Sequence, residues 1–181
     1  GVGTGLAGRT LGVLGLGRLG SRVAAVGNAF GMRVVAWSQN LTADRAAEAG
    51  VALVGKDELF ATSDIVTIHL VLSDRTRGLV GEPELRLMKP DAWLVNTSRG
   101  PICDEDALVR ACREHWIAGA ALDVYDQEPL PADHPLRTLG NVLASPHIGY
   151  VIGETYASWY GDAVENVLAF IAGTPVRVRH S

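Results

Sequence analysis

The stretch Thr10–Gly20, which reads TLGVLGLGRLG, decides the fold of this chain. Thr10–Leu14 is a short, mostly apolar run, and Gly15, Gly17 and Gly20 follow it in the spacing GxGxxG. After a strand and at the start of a helix, this spacing is typical of a loop that binds the phosphates of a dinucleotide. The first glycine permits the tight turn, the second lets a pyrophosphate approach the backbone, and the third lets helix and strand pack closely. The free N–H groups of the helix would then face the phosphates.

Downstream of this loop, short apolar runs alternate with helical stretches. Runs that are apolar throughout indicate strands buried on both faces, and the helices between them act as right-handed crossovers. The sequence therefore predicts an α/β fold with a doubly wound parallel sheet, a Rossmann-type dinucleotide-binding domain. The predicted strands cover residues 10–14, 33–37, 51–54, 64–70, 92–96, 117–124 and 141–144, and the predicted helices cover 18–30, 42–49, 56–61, 83–88, 104–115 and about 154–172.

The first predicted helix carries Leu19, Val23, Val26 and Phe30 at spacings of four, three and four residues. Such spacing places these side chains on one helix face and predicts a helix over residues 18–30. Gly31 follows where a glycine commonly ends a helix.

The glycine motif alone leaves open a dinucleotide, a ligand such as S-adenosylmethionine, or a purely structural turn. In dinucleotide-binding folds, an acid about 20 residues beyond the loop binds the ribose 2′-hydroxyl. Here the residues after the second strand are Trp37-Ser38-Gln39-Asn40, without an acid. The barrier to the 2′-phosphate of NADP is therefore missing, although no arginine occupies positions 38–40 and the role of Arg45 stays open. We expect NAD or NADP, with NADP tolerated.

Three chemically active side chains follow predicted strands, at the edge where open α/β sheets bind ligands. Arg99 lies in the run NTSRG, Glu128 in DVYDQEP and His147 in SPHIG. Taken singly, they are compatible with a surface cation, a loop acid and a turn residue. An arginine, an acid and a histidine at three strand ends together indicate a catalytic site.

Composition excludes several other classes. The chain has 181 residues with a net charge of −4, which disfavours binding to nucleic acid through backbone phosphates. No apolar run approaches the roughly 18 residues of a membrane span, and the N-terminal residues show no signal core. Cys103 and Cys112 show neither a disulfide framework nor metal-ligand spacing. We therefore expect a cytoplasmic protein without a metal, a nucleic-acid partner or a membrane partner.

Several segments resemble the nucleotide-binding part of the D-isomer-specific 2-hydroxyacid dehydrogenases. They are GVGTGLAGRTLGVLGLGRLG, LMKPDAWLVNTSRGPICDEDAL, ALDVYDQEPLP and SPHIGY, in the order and spacing of that family. The resemblance implies that Arg99 binds the carboxylate of a 2-keto or 2-hydroxy acid, that His147 gives and takes the proton, and that Glu128 pairs with His147. It also implies cofactor contacts for Gly15, Gly17, Arg18, Leu19, Gly20, Ser38, Thr97, Ser98, Asp123 and Gly149.

These residue types suit hydride transfer between a dinucleotide and a keto acid. Histidine is the side chain whose ordinary pKa lies near neutrality, as a proton donor and acceptor requires. The fork of arginine matches a carboxylate in two hydrogen bonds. The resemblance leaves a second function open, because corepressors of the C-terminal binding protein type use this fold to sense dinucleotides.

The resemblance also sets expectations about organisation. Residues 1–153 are predicted to form the dinucleotide-binding domain, and residues 154–181 a helix and tail that return to a substrate domain absent from this chain. The apolar positions of that helix also fit packing on its own domain. Family dimers meet through this domain, so we expect a homodimer. The chain alone is expected to bind a dinucleotide but to turn over 2-keto acids poorly or not at all.

Overall fold

The computed structural model describes residues 3–178 and contains a seven-stranded sheet in the order β3-β2-β1-β4-β5-β6-β7. All neighbouring strands pair in parallel. The chain builds the sheet outward from β1 in one direction and then from β4 in the other. This reversal creates a crevice at the carboxyl ends of β1 and β4, where such sheets bind ligands. The predicted doubly wound fold is confirmed.

Every predicted strand and helix is present, with ends shifted by a few residues. The strands are β1 (Thr10–Leu14), β2 (Arg33–Trp37), β3 (Ala52–Leu53), β4 (Ile65–Ile68), β5 (Trp93–Asn96), β6 (Gly119–Leu122) and β7 (Val142–Ala144). The helices are α1 (Arg18–Ala29), α2 (Ala43–Glu48), α3 (Lys56–Thr62), α4 (Glu82–Leu87), α5 (Glu105–Arg113) and α6 (Gly153–Ile171). Two single-turn 3-10 helices, Gly100–Ile102 and Pro135–Arg137, were not predicted.

The predicted helix is present as α1, but its large apolar side chains are mostly not the buried ones. Three of these side chains lie mainly in solvent, with exposed fractions of 61%, 55% and 59% for Leu19, Val26 and Phe30. The buried residues of α1 are small: Gly20, Ala24 and Gly27. A Cβ on Gly27 would lie 2.7 Å from Leu11 Cδ2, so the helix packs against β1 through its glycines. Close approach of helix and strand therefore decided the buried face, and hydrophobicity did not.

Each face of the sheet carries its own apolar core. Val13 and Val34 pack in one cluster, whereas Leu14 and Val35 pack in the other. Successive side chains of a strand point to opposite faces, so both faces of β1 and β2 are covered. The larger cluster includes Cys103 and Cys112, and burial raises the pKa of these thiols to about 12 and about 11.

Asp64 directly precedes β4 and connects this end of the sheet to Thr10 of β1 and to Lys89. Its carboxylate accepts a hydrogen bond from the Thr10 N–H at 2.6 Å and lies 2.9 Å from Lys89 Nζ. Burial opposes ionisation here, but the Thr10 and Lys89 bonds outweigh it and hold the pKa of Asp64 below its usual value. The ionised carboxylate thus stabilises the edge of the sheet opposite the ligand crevice.

Contacts group the chain into two compact units, Gly1–Pro146 and His147–Ser181. The first unit contains the whole sheet and helices α1–α5. The second contains α6, of which no residue is buried. The domain division predicted at residues 153 and 154 stays a prediction. Among the helices of residues 3–178, none is both long and apolar enough to cross a membrane.

Candidate functional site

The glycine loop has the geometry that its spacing predicts. Gly15 lies at φ +105°, a conformation that favours glycine, and its N–H donates to the Trp37 carbonyl at 2.8 Å. A Cβ on Gly20 would collide with the Gly15 carbonyl oxygen. By contrast, a Cβ on Gly17 would meet no atom within 4 Å. The loop is therefore tight against the strand at Gly15 and Gly20 and open at Gly17.

The start of α1 fits a pyrophosphate. Gly17 is the N-cap residue of α1, and no side chain of residues 3–178 hydrogen-bonds the first N–H groups of the helix. The first turn contains no acidic residue. The first N–H groups of a helix have no partner within it, and the helix dipole adds partial positive charge there. The open space at Gly17 and the uncapped helix end together suit an anionic group at this position.

Ser38 is joined to this loop by a hydrogen bond. Its Oγ accepts from the Leu16 N–H at 3.0 Å, because β1 and β2 pair with Leu14 beside Trp37. A cavity of about 390 Å³, here named the Ser38 cavity, opens beside this bond. It is lined by Leu16, Gly17, Ser38, Gln39, Asn40, Leu41, Arg45, Leu70, Val71, Ser73, Arg75 and Thr76. The lining contains no carboxylate, as the sequence predicts for the segment after β2.

A second cavity of about 400 Å³, here named the Arg99 cavity, lies on the other side of the glycine loop. It is lined by Gly17, Arg18, Leu19, His69, Leu70, Val71, Leu72, Ser98 and Arg99. The fold therefore brings the predicted phosphate loop and the predicted carboxylate-binding arginine to one cavity. Thr97 is exposed and does not line it.

The turn that carries Arg99 is held by Asn96, whose side chain is buried at the end of β5. Asn96 Oδ1 accepts from the Ser98 N–H at 3.0 Å, and its Nδ2 donates to the Arg99 carbonyl at 3.0 Å. Ser98 Oγ donates to the Leu70 carbonyl at 2.8 Å. These bonds fix the backbone of the turn and leave the Arg99 guanidinium exposed, where it can meet an anion.

The segment after β6 touches this turn and carries Asp123 and Glu128. A Cβ on Gly100 would collide with the Tyr125 carbonyl, so glycine lets the two segments meet. Asp123 is buried, and its Oδ1 accepts from Ser145 Oγ at 2.5 Å. Glu128 Oε1 accepts from the Tyr125 N–H at 3.0 Å. Both acids thus lie on the carboxyl side of the sheet, as the sequence predicts.

His147 and Gly149 belong to the second unit. His147 lies at φ +56°, a left-handed conformation that costs a non-glycine residue about 1–2 kcal/mol and is found at functional positions. Its ring meets that of Tyr150 edge to face, with centroids 6.2 Å apart, and Tyr150 stacks on Trp159. The pairing of His147 with Glu128 stays a prediction.

The loop after β4 was missed by the sequence predictions, although most of residues 69–76 line one of the two cavities and Leu70 and Val71 line both. His69 Nε2 lies 3.0 Å from Thr67 Oγ1, and burial lowers the pKa of the His69 ring. The sequence held one signal for this loop, because in a doubly wound sheet the strand that starts the second half ends beside β1, as β4 does here. The apolar residues after β4 resembled a continuation of the strand, so the loop was not recognised.

Residues 1–149 match the family model described as D-isomer specific 2-hydroxyacid dehydrogenase, NAD binding domain. The chain belongs to this family. The predicted family and the predicted NAD(P) cofactor are thereby confirmed. A member from Aeropyrum pernix, a glyoxylate reductase, is 49% identical over 172 residues, which are 95% of this chain and 51% of that protein. The chain spans about half the length of this relative.

Several solved dehydrogenase and reductase structures superimpose closely on this chain. A putative D-3-phosphoglycerate dehydrogenase from Ralstonia solanacearum gives a TM-score of 0.92 at 39% identity, covering 98% of this chain and 52% of that one. A D-lactate dehydrogenase from Lactobacillus jensenii, solved with NAD+, gives a TM-score of 0.84 at 26% identity, covering 99% of this chain and 58% of that one. An acyclic imino acid reductase, solved with NADPH and D-Arg, gives a TM-score of 0.79 at 31% identity, covering 99% of this chain and 56% of that one. These relatives do not support the corepressor alternative.

Proposed function

We propose that this protein is an NAD(P)-dependent oxidoreductase that interconverts a 2-keto acid and a D-2-hydroxy acid. The observation that carries the proposal is that Arg99 and the glycine loop line one cavity. An arginine beside a cofactor site can bind a substrate carboxylate through charge-assisted hydrogen bonds. The glyoxylate reductases among the relatives act in the same chemical class.

In this proposal the glycine loop, with Arg18 and Leu19, holds the pyrophosphate, and Ser38 hydrogen-bonds the adenine ribose. Thr97, Ser98, Asp123 and Gly149 form the nicotinamide side. The bound dinucleotide supplies or accepts the hydride, and the chain supplies orientation and electrostatics. The uncapped start of α1 and the cavities on both sides of Gly17 support this assignment.

Three residues would then handle the substrate. Arg99 binds the carboxylate and polarises the keto oxygen. When hydride reaches the carbonyl carbon, a ring nitrogen of His147 gives its proton to the oxygen, and in oxidation it takes that proton back. Glu128 orients the imidazole and stabilises its charged form. The carboxyl-side positions of Arg99 and Glu128 support these roles.

The test is oxidation of NADH or NADPH by the intact protein with glyoxylate, hydroxypyruvate and pyruvate. We expect turnover with at least one acid, and a loss of roughly 10²–10⁴-fold in His147→Gln, the range of general acid–base groups. His115→Gln, a change in an exposed turn, is the matched control and keeps full turnover. Near-normal turnover of His147→Gln removes His147 from the mechanism, and inactivity of the intact protein toward all 2-keto acids contradicts the function.

We also propose a homodimer. Val164, Val167, Leu168 and Phe170 on α6 each expose more than half of their surface, and contiguous exposed apolar surface marks interfaces. Analytical ultracentrifugation tests this proposal. A monomer at concentrations well above the micromolar range would contradict it.

A further inference from the structure

Two arginines reach the Ser38 cavity from separate parts of the fold. Arg45 comes from α2 and Arg75 from the loop after β4. Within residues 3–178, neither side chain forms an ion pair, whereas Arg9, Arg86 and Arg110 each face a carboxylate within 4 Å. The charges of Arg45 and Arg75 are therefore available to an anionic ligand in this cavity.

The backbone beneath both arginines is fixed. Thr42 Oγ1 accepts from the Arg45 N–H at 3.4 Å and caps α2. On the other side, Thr76 Oγ1 accepts from the Ser73 N–H at 2.8 Å and donates to the Val71 carbonyl at 2.7 Å. The turn that carries Arg75 is thereby held in place. Arg45 and Arg75 thus extend long, exposed side chains from fixed backbone positions into the same cavity.

The rest of the cavity lining is neutral or donates hydrogen bonds. Ser38 lies where an acid would otherwise hold the ribose hydroxyls and repel a phosphate. Its Oγ accepts a hydrogen bond from the Leu16 N–H through one lone pair. The hydroxyl can therefore still donate its proton to a ligand. Asn40 adds an amide donor. The cavity therefore offers positive charge and donors to an anion, with no carboxylate to oppose it.

We propose that Arg45 and Arg75 form a subsite for the 2′-phosphate of NADP and make NADP the preferred dinucleotide. The proposal rests on the proposed function, because it requires the adenine ribose to occupy the Ser38 cavity. A 2′-phosphate carries nearly two negative charges beyond those of NAD. Two guanidinium groups can each bind it through charge-assisted hydrogen bonds, which are about twice as strong as neutral ones.

The test is calorimetric titration of the 181-residue chain with NADPH and with NADH. We expect NADPH to bind at least about tenfold more tightly. Arg45→Ala and Arg75→Ala should each weaken NADPH about tenfold while changing the NADH dissociation constant less than about twofold. Arg33→Ala is the matched control, since Arg33 is exposed at the amino end of β2, and it should change neither value. The nucleotide fragments should show the same difference: 2′,5′-ADP, which carries the 2′-phosphate, should bind more tightly than 5′-AMP, and the arginine variants should weaken only 2′,5′-ADP.

The possible outcomes separate the subsite from the function. If NADH binds as tightly as NADPH, or if both arginine variants weaken the two dinucleotides equally, the subsite is wrong and dinucleotide binding stands. If a folded wild-type chain binds neither dinucleotide, both proposals fail. Ser38→Asp gives an independent readout: the new carboxylate should reverse the preference toward NADH, and an unchanged preference would contradict the proposed subsite.

Discussion

Ser38 Oγ accepts a hydrogen bond from the Leu16 N–H at 3.0 Å, and this bond ties the end of β2 to the glycine loop. The two residues lie 22 positions apart in the chain. One hydroxyl thus orders the backbone that we assign to the phosphates and also lines the cavity that we assign to the ribose. The bond links the stability of the loop to the binding of the cofactor.

Replacing Ser38 by Ala removes the hydroxyl oxygen that accepts the hydrogen bond from the Leu16 N–H. We expect a loss of about 1 kcal/mol in unfolding free energy, the usual net value of such a bond, together with weaker dinucleotide binding. Urea unfolding and calorimetry measure the two effects. Ser38→Thr keeps the hydroxyl and is the control. If Ser38→Ala matched the wild type in both measurements, the bond would have no role in ordering the loop.

Gly20 and Gly17 should respond differently to alanine. A Cβ at Gly20 collides with the Gly15 carbonyl, so Gly20→Ala should lose roughly 1–3 kcal/mol, as overpacking does. Gly17→Ala adds its Cβ to open space and should leave the unfolding free energy within about 0.5 kcal/mol. Chemical denaturation of the pair is the measurement. Equal stabilities would show that α1 can shift away from β1.

Asp64 makes stability depend on acid pH. Burial is outweighed by the bonds to Thr10 and Lys89, so its pKa is lower in the folded chain than in the unfolded one. The stabilisation is complete above the unfolded pKa of about 3.9 and is lost as pH falls through the folded pKa. Asp64→Asn should cost about 1–3 kcal/mol at neutral pH. Asp91→Asn, at an acid that is 72% exposed, is the control and should change little. A similar small loss in both would contradict the role of Asp64.

His69 acts in the same direction as Asp64 but at higher pH, and here burial is the cause of the lowered pKa. Burial lowers its pKa, so the unfolded chain binds the proton more readily than the folded one. Stability should therefore fall as pH drops below about 6.5 and level off below the folded pKa. His69→Asn should reduce the difference in unfolding free energy between about pH 7.5 and about pH 5.5. His115→Asn, in an exposed turn, controls for loss of a histidine, and an identical pH dependence in the two variants would exclude His69 as the source.

The sequence predicted the strands well because β1, β2 and β5 are short apolar runs with clear ends. It predicted the tight turn between β1 and α1 because Gly15 and Gly20 meet steric needs there that only glycine satisfies. It did not identify the buried face of α1, because close approach to β1 selects the small residues Gly20, Ala24 and Gly27 there. It also missed the loop after β4, because the placing of His69 and Arg75 beside the glycine loop depends on the strand order.

The same limit explains which site residues could be predicted. Arg99 and Glu128 follow strands, and parallel strands end at one edge, so their side of the sheet followed from the sequence. The buried Asn96 that positions the Arg99 turn was not predicted as a site residue, because its role lies in two hydrogen bonds to nearby backbone.

The most direct test of the central claim is calorimetric titration of the wild-type chain and of Gly17→Asp with NADPH and NADH. We expect saturable binding at one site in the wild type. In the variant, binding should weaken at least about a hundredfold, because a carboxylate would then occupy the position of the pyrophosphate. The melting temperature should stay close to that of the wild type, since the space at Gly17 is open. Equal binding by both chains, or no binding of either dinucleotide to the folded wild type, would contradict the account.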